Sequence, residues 1–260
     1  MLQIYPIPAF KDNYFWLIQP DAPDPAAYIV DPGAAEPVIQ ALEHYQLQLK
    51  SILITHHHHD HIDGAAALSE RYKTPIFGPD STKIPQVTHK LGQGDEIQLG
   101  SLVAKALLLP GHTRDHIGYY LASAPRQPRL FCGDTLFAAG CGRLFDGTAD
   151  QLFHSLQTIA QLPDNTLIYS AHEYALANLE FARHIEPQNP DIVARQYSET
   201  QKRRENLPSI PSPLLLEKRT NPFLRCHLPA VHQRVEQLAG YSLASESEVF
   251  TQLRRLKDQF

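Results

Sequence analysis

The stretch Ile52–Gly64, ILITHHHHDHIDG, constrains this chain more than any other segment. It places five histidines and two aspartates directly behind a short apolar run that is typical of a buried strand. Residues i and i+2 of an extended chain point to the same side. His56 and His58 can therefore converge on one cation, each at about 2.0–2.1 Å if the ion is zinc.

The remaining polar residues of this stretch divide into two kinds. Asp60 and His61 follow at the point where the chain must turn, so they can reach a second position beside the first. His57 and His59 point away from His56 and His58, and we expect neither of them to bind a metal. The segment therefore predicts His56-x-His58-x-Asp60-His61 as a ligand pattern.

Three further polar residues follow apolar, strand-like runs. His112 stands in LLLPGHT, Asp134 in LFCGDT and His172 in LIYSAHEY. Each of them alone is more often an ordinary turn residue. Because sites in α/β sheets form at strand ends, four such ends together predict one metal-binding cleft.

The pattern of apolar residues in the sequence changes near Tyr174. Residues 1–172 alternate short apolar strands with amphipathic helices, which predicts a mixed α/β (α+β) domain. In residues 173–260 strand-like runs nearly vanish and helical periodicity dominates, so we predict a helical appendage there. The run LPSIPSPLLLEKRTNPFLR is interpreted as a proline-rich connector, and Ser245 with Glu248 three residues later indicates a helix start.

Composition narrows the classes of function. With 260 residues, 43% of them hydrophobic, the chain can bury a sizeable core. A net charge of −5 argues against a nucleic-acid or membrane-surface binder. Three cysteines, Cys132, Cys141 and Cys226, do not form a disulfide framework, and we expect buried free thiols. No signal peptide or membrane span is recognised, which predicts a cytoplasmic protein.

The motifs THHHHDH, PGHT, CGDTLF and SAHEY, in that order, resemble the metallo-β-lactamase superfamily. Within it the chain is similar to the glyoxalase II (hydroxyacylglutathione hydrolase) family. The agreement extends to KDNYFWLI, DPG, CGRLFDGTADQ, NPFLR and RRLKDQF. The resemblance therefore covers nearly the whole length and implies an αββα sandwich with a C-terminal helical appendage.

The resemblance also implies a binuclear metal site. Its first ion would be held by His56, His58 and His112, its second by Asp60, His61 and His172, with Asp134 as the bridge. Zinc is the expected metal, with iron or manganese as alternatives, because mixed nitrogen and carboxylate ligands choose weakly among these ions.

The chemistry follows from two ions that share a water molecule. They lower its pKa from about 15.7 toward neutrality, and the bridging hydroxide, held by the catalytic carboxylates Asp60 and Asp134, attacks a carbonyl. A thiolate with a conjugate-acid pKa of about 8.5 leaves without a proton, which favours a thioester over an amide. The implied reaction is hydrolysis of S-D-lactoylglutathione to glutathione and D-lactate, in methylglyoxal detoxification.

Glutathione carries carboxylates, and the resemblance assigns cations to them. These are Arg143 in CGRLFDG and Arg254 with Lys257 in RRLKDQF, although charge pattern alone is typical of a solvated helix face. Tyr174 would hydrogen-bond the peptide portion. Phe145 stands where some family members carry tyrosine, and Arg143 where some carry lysine. We expect the missing hydroxyl at Phe145 to weaken substrate binding.

Other functions stay open at this point. They are a lactonase or β-lactamase of the same superfamily, a persulfide dioxygenase with one iron, a nuclease, and a binding protein with a structural metal. The charge balance disfavours the nuclease, and seven ligands over two ions leave positions open for water, which favours catalysis over a closed structural site. No exposed apolar stripe stands out, so a monomer is predicted.

Overall fold

The computed structural model describes residues 1–124 and 126–260, which form two compact units. The first unit comprises Met1–Leu109 and Asp115–Gly133. The second comprises Pro110–Arg114 and Asp134–Phe260. This division differs from the boundary after residue 172, which stays a prediction.

The first unit is built mainly from ten strands. They are β1 Gln3–Ala9, β2 Asn13–Gln19, β3 Ala26–Val30, β4 Gln48–Leu53, β5 Ile76–Pro79, β6 His89–Leu91, β7 Glu96–Leu99, β8 Leu102–Leu108, β9 Ile117–Leu121 and β10 Arg129–Gly133. Strands β1 to β6 form one sheet in sequence order, antiparallel from β1 to β3 and parallel from β3 to β6. Strands β7 to β10 follow one another as antiparallel neighbours.

Burial explains the first sheet. Every residue of β2, NYFWLIQ, is buried, as is typical of a strand covered on both faces. The helices of this unit are α1 Ala35–His44, α2 His59–Ile62 and α3 Ala65–Tyr72. Helix α1 buries Val38 and Leu42, and α3 buries Leu68, in the same core as Leu17 and Ile52. Hydrophobic burial thus fixes the ends of β3 and β4 firmly.

The second unit is mostly helical. Its elements are β11 Leu136–Phe137, β12 Gly140–Cys141, α4 Ala149–Ala160, β13 Leu167–Ser170, α5 Ala175–Ile185, α6 Pro190–Arg204, β14 Ser212–Pro213, α7 Leu214–Thr220, a 3-10 turn Pro222–Leu224, α8 Pro229–Ala239 and α9 Glu246–Gln259. Strands β11 and β12 pair as a short hairpin, and β13 pairs antiparallel with β14.

Side-chain caps begin three of these helices, α4, α6 and α9, and the cap of α6 is Asn189. Thr148 and Gln151 form a reciprocal capping box at the start of α4. Ser245 accepts the backbone N–H of Glu248 at the start of α9, which confirms the predicted cap. Such caps satisfy backbone donors that the first helical turn leaves free.

The proline-rich connector contains structure that its sequence did not indicate. It includes β14 and helix α7. The fully buried Glu217 on α7 accepts hydrogen bonds from Arg195 and Ser212 and from the backbone N–H of Ala139. Arg195 and Ala139 are distant from Glu217 in the chain, so local periodicity could not reveal these contacts. The interpretation of the whole run as a connector was therefore wrong.

No helix in the described part of the chain is both long enough and apolar enough to cross a membrane.

Candidate metal centre

The proposed ligands follow the ends of strands, as the sequence predicts. Strand β4 ends at Leu53, β8 at Leu108, β10 at Gly133 and β13 at Ser170. His56, His112, Asp134 and His172 come within a few residues of these ends. In each case the buried strand fixes the backbone, and the loop that follows carries the polar side chain.

His56 and His58 converge in the first unit. Nε2 of His56 lies 3.0 Å from Nδ1 of His58, and His56 is fully buried. The Thr55 hydroxyl donates to Asp31 Oδ2 at 2.7 Å, so at 3.0 Å it accepts the Nδ1 proton of His56. That tautomer leaves His56 Nε2 unprotonated, as a metal ligand requires.

Asp31 also fixes the second pair of ligands in this unit. His61 Nδ1 lies 3.0 Å from Asp31 Oδ2, which directs Nε2 of the buried His61 toward Asp60. Asn13 donates to Asp60 Oδ2 at 2.9 Å and orients that carboxylate. At Gly33, directly after the Asp31-Pro32 turn, an added Cβ would lie 1.9 Å from the backbone oxygen of Asp60. Only glycine permits this approach.

In the second unit, Asp134 lies between two histidines. Its Oδ2 is 3.4 Å from Nε2 of His112, and its Oδ1 is 3.4 Å from Nε2 of His172. His112 Nδ1 donates to the backbone oxygen of Arg143 at 2.8 Å, which keeps Nε2 unprotonated in the neutral ring. The side chains of His112, Asp134 and His172 are almost completely buried.

These separations fit metal ligands. Two ligands at about 2.0–2.1 Å from a tetrahedral ion are about 3.3–3.4 Å apart. The His112–Asp134 and His172–Asp134 distances are 3.4 Å, and His61 Nε2 to Asp60 Oδ2 is 3.5 Å. They exceed normal hydrogen-bond lengths. The described chain therefore carries His and Asp groups that could bind metal ions.

The two histidines predicted to point away have other contacts. His57 Nδ1 lies 3.0 Å from Asp115 Oδ1, and Lys83 Nζ lies 3.3 Å from His57 Nε2. The side chain of His59 is 91% exposed and contacts Asp63. Neither residue belongs to the groups that could hold a metal.

The predicted substrate-binding aromatic residues lie beside the histidines of the second unit. Tyr174 stacks on His172 with ring centroids 4.8 Å apart and an interplanar angle of 3°. The ring of Phe145 stands edge-on to His112 at 5.1 Å and is 64% exposed. Both aromatic rings thus flank a candidate ligand.

The three predicted cations differ in exposure. The Arg143 side chain is 70% exposed, with Nε 3.6 Å from Asp258. Arg254 is buried and donates to the Cys141 carbonyl oxygen at 3.0 Å and to Asp258 at 2.9 Å. Burial, followed by the positive charges of Arg254 and Arg143, lowers the pKa of Lys257. Arg143 and Arg254 both contact Asp258, and both lie close enough to Lys257 to lower its pKa. We call these three neighbouring cations the positive region.

The cysteines match their expected role. All three are buried as free thiols. Burial raises the pKa of the Cys141 thiol to about 11 despite the neighbouring Arg254, and it also raises the pKa of Cys226. At neutral pH these thiols are protonated and unreactive.

Sequence reasoning missed three supporting residues. Asp31, Thr55 and Asn13 hold the proposed ligand side chains, although all three lie in the quoted segments DPG, THHHHDH and KDNYFWLI. A usable signal existed for Asp31, because it follows β3, a parallel neighbour of β4. The carboxyl ends of parallel strands meet at one edge, so Asp31 must lie near Thr55.

Comparison with known families agrees with this geometry. The family model described as Metallo-beta-lactamase superfamily matches residues 12–172, and the model described as Hydroxyacylglutathione hydrolase C-terminus matches residues 173–260. The hydroxyacylglutathione hydrolase of Nitrosomonas europaea is 45% identical over 262 residues, which cover 100% of this chain and 97% of that protein. That of Pseudomonas savastanoi pv. phaseolicola is 47% identical over 261 residues, covering 100% of both.

A solved structure gives the same picture of the fold. The crystal structure of ETHE1 from Myxococcus xanthus is 27% identical, with a TM-score of 0.67, and the match covers 98% of this chain and 91% of that one. The predicted fold class, with its helical C-terminal region, is confirmed. Sequence motifs, fold and full-length similarity agree, and the chain belongs to the hydroxyacylglutathione hydrolase family of the metallo-beta-lactamase superfamily.

Proposed function

We propose that this protein hydrolyses S-(2-hydroxyacyl)glutathione thioesters, chiefly S-D-lactoylglutathione, to glutathione and the free 2-hydroxy acid. The observation that carries the proposal is full-length similarity to a protein named hydroxyacylglutathione hydrolase, 45% identical over 262 residues. The His and Asp groups support it, because activation of water at neutral pH needs ligands for a divalent ion.

The proposal includes two divalent ions per chain. One would be held by His56, His58 and His112, and the other by Asp60, His61 and His172. Asp134, which lies 3.4 Å from both His112 and His172, would be shared. Zinc is the proposed metal, with iron or manganese as alternatives, because imidazole and carboxylate suit all three. When bound, the pair supplies a water of lowered pKa as nucleophile and polarises the thioester carbonyl.

The chain's own residues prepare the ligands for this role. Asp31, through Thr55, holds His56 in the tautomer with an unprotonated Nε2, and it contacts Nδ1 of His61 directly. Asp60 and Asp134 are the proposed catalytic carboxylates, and Asn13 donates to Asp60, which favours its ionised form. Neutral imidazoles and ionised carboxylates are the states that metal binding requires.

Hydrolysis adds the water oxygen to the acyl carbon and breaks the carbon–sulfur bond. The electron pair of that bond leaves with sulfur as the glutathione thiolate. Because the conjugate acid has a pKa of about 8.5, departure needs no proton from the enzyme. This matches a site in which no general acid is assigned.

The glutathione portion is assigned to the second unit. Arg143, Arg254 and Lys257 form the positive region described above, which suits the carboxylates of glutathione. Arg254 is buried, and its guanidinium donates hydrogen bonds to Cys141 and Asp258. Its charge therefore contributes to the positive region from below the surface. Tyr174 and Phe145 flank His172 and His112 and are proposed to contact the substrate.

The experiment combines metal analysis with a thioester assay. Purified protein is tested by loss of ultraviolet thioester absorbance with a panel of glutathione thioesters, before chelation, after chelation and after metal is restored. We expect two metals per chain, and hydrolysis that chelation abolishes and metal restores. Active protein without bound transition metal would contradict the proposal. A single iron with oxygen consumption would favour the dioxygenase alternative. The monomeric state and the cytoplasmic location stay predictions.

A further inference from the structure

The loop Arg143–Gly147 lies along the loop Gly111–Arg114, and we call these segments the paired loops. Two hydrogen bonds join them at His112: its Nδ1 to the Arg143 oxygen at 2.8 Å, and the Phe145 N–H to the His112 oxygen at 3.1 Å. The loop Gly111–Arg114 thus carries the proposed metal ligand His112, and the loop Arg143–Gly147 carries two proposed substrate contacts, Arg143 and Phe145.

A second connection closes the outer end of the paired loops. The Arg114 backbone N–H donates to Asp146 Oδ1 at 2.9 Å, and Arg114 Nε donates to the Asp146 backbone oxygen at 2.7 Å. Each residue therefore binds the other's backbone with its own side chain. Such reciprocal pairs fix backbone position in a way that an ion pair between side chains does not.

The backbones are also in direct contact. A Cβ added at Gly147 would lie 2.2 Å from the Gly111 oxygen, so no side chain fits between the loops there. The His112 end is buried, whereas Arg114 at the outer end is exposed. Water competes for the outer hydrogen bonds, and opening of the loops is expected to begin at Arg114.

We propose that Arg114 is a positioning residue for substrate binding, which holds Asp146 so that Arg143 and Phe145 are presented at a fixed place beside His112. The inference rests on the proposed function, because it takes Arg143 and Phe145 as contacts of a glutathione thioester. Both side chains are largely exposed, so their backbone is what limits their freedom. A loop ordered before binding loses less conformational entropy on binding.

Because Arg114 lies at the outer end of the paired loops, its replacement should change substrate affinity without changing the turnover rate. Its loss leaves the two hydrogen bonds at His112 in place, so the orientation of that proposed ligand is kept. We therefore expect Arg114→Ala to raise KM about fivefold, the change for one hydrogen bond of typical net strength. Metal content, kcat and melting temperature should stay unchanged.

Variants of Asp146 distinguish positioning from direct binding by Arg114. Asp146→Ala removes the acceptor of the Arg114 N–H and should raise KM like Arg114→Ala. Asp146→Asn keeps an Oδ1 acceptor and should stay near wild type. If Arg114 bound a substrate carboxylate itself, Asp146→Ala would leave KM unchanged or lower it. Arg71→Ala is the matched control for charge, because Arg71 is an exposed arginine whose ion pair with Glu43 is 3.6 Å long.

Hydrogen–deuterium exchange supplies a readout without substrate. The Phe145 amide, bonded to His112, should exchange faster in Arg114→Ala and Asp146→Ala than in wild type and Asp146→Asn. If the wild type is active but both alanine variants keep the wild-type KM and the wild-type exchange rate at Phe145, this inference is overturned and the proposed function still stands. A raised KM in Arg114→Ala without one in Asp146→Ala would also overturn it. Wild type that hydrolyses no glutathione thioester would overturn the proposed function, and the inference with it.

Discussion

The candidate metal ligands and the candidate substrate contacts are built in opposite ways. His56 and His61 are fully buried, and Asp134 is 6% exposed. Phe145 is 64% exposed, and the Arg143 side chain is 70% exposed. His56 and His61 are held through their second ring nitrogen by buried polar partners, whereas Arg143 and Phe145 lie on a loop that is joined to its neighbour through the backbone. Arg254 is the buried exception among the candidate substrate contacts.

This difference indicates where the molecule tolerates change. A buried ligand that loses its partner leaves an unsatisfied polar atom, which costs far more than the loss of an exposed contact. An exposed side chain on an ordered loop can be exchanged at small cost. The reaction centre should therefore be intolerant of substitution, while affinity for the acyl and glutathione portions should be adjustable.

The strongest test of this contrast replaces a proposed ligand. His58→Ala removes an imidazole that faces His56 at 3.0 Å, and we expect loss of turnover and of bound metal. His59→Ala is the matched control one position away, because that side chain is 91% exposed. Metal analysis and the thioester assay measure both. Near-normal turnover in His58→Ala would contradict the ligand assignment.

A smaller effect is expected at Asp31, which contacts His61 and Thr55 but is not itself a proposed metal ligand. Asp31→Asn keeps the shape but loses the charge that contacts His61 and the Thr55 hydroxyl. We expect metal affinity to fall about 10- to 100-fold, as for other residues that orient metal ligands. Competition with a chromophoric chelator measures it. Asp63→Asn is the exposed control, and equal affinities in the two variants would remove Asp31 from this role.

The positive region gives a test with a pH dependence. Lys257→Met should raise KM about tenfold at neutral pH, the loss expected for a charge-assisted contact with a carboxylate. The lowered pKa of Lys257 means that its charge is lost at lower pH than for an ordinary lysine. Wild-type KM should therefore rise as pH increases through that pKa, and Lys257→Arg should delay the rise. A KM profile shared by wild type and Lys257→Arg would exclude this role.

The smallest effect is expected at Phe145, the more exposed of the two candidate aromatic contacts. Phe145→Tyr restores the hydroxyl that some family members carry, and one added hydrogen bond should lower KM about threefold without changing kcat. Steady-state kinetics on one thioester measures both parameters. An unchanged or raised KM would show that the hydroxyl finds no partner on the substrate.

Sequence analysis predicted the parts of the site that are encoded locally. An apolar run followed by His or Asp indicated each proposed ligand loop, because those residues come within a few residues after the end of a strand. It did not predict Asp31 as the partner of Thr55 and His61, since that contact depends on the pairing of β3 with β4. Helical spacing placed Arg254 and Lys257 on one face, but it could not show that Arg254 is buried against Cys141. Helix α7 was missed because distant contacts of Glu217 stabilise it.

The close approach at Gly33 has a consequence for anyone who transplants this centre into another scaffold. The Cβ of an alanine at position 33 would lie 1.9 Å from the backbone oxygen of Asp60. Even alanine would therefore displace the segment that carries this proposed ligand. A minimal graft is therefore more than a set of imidazoles and carboxylates. It must carry along one position whose contribution is the absence of a side chain.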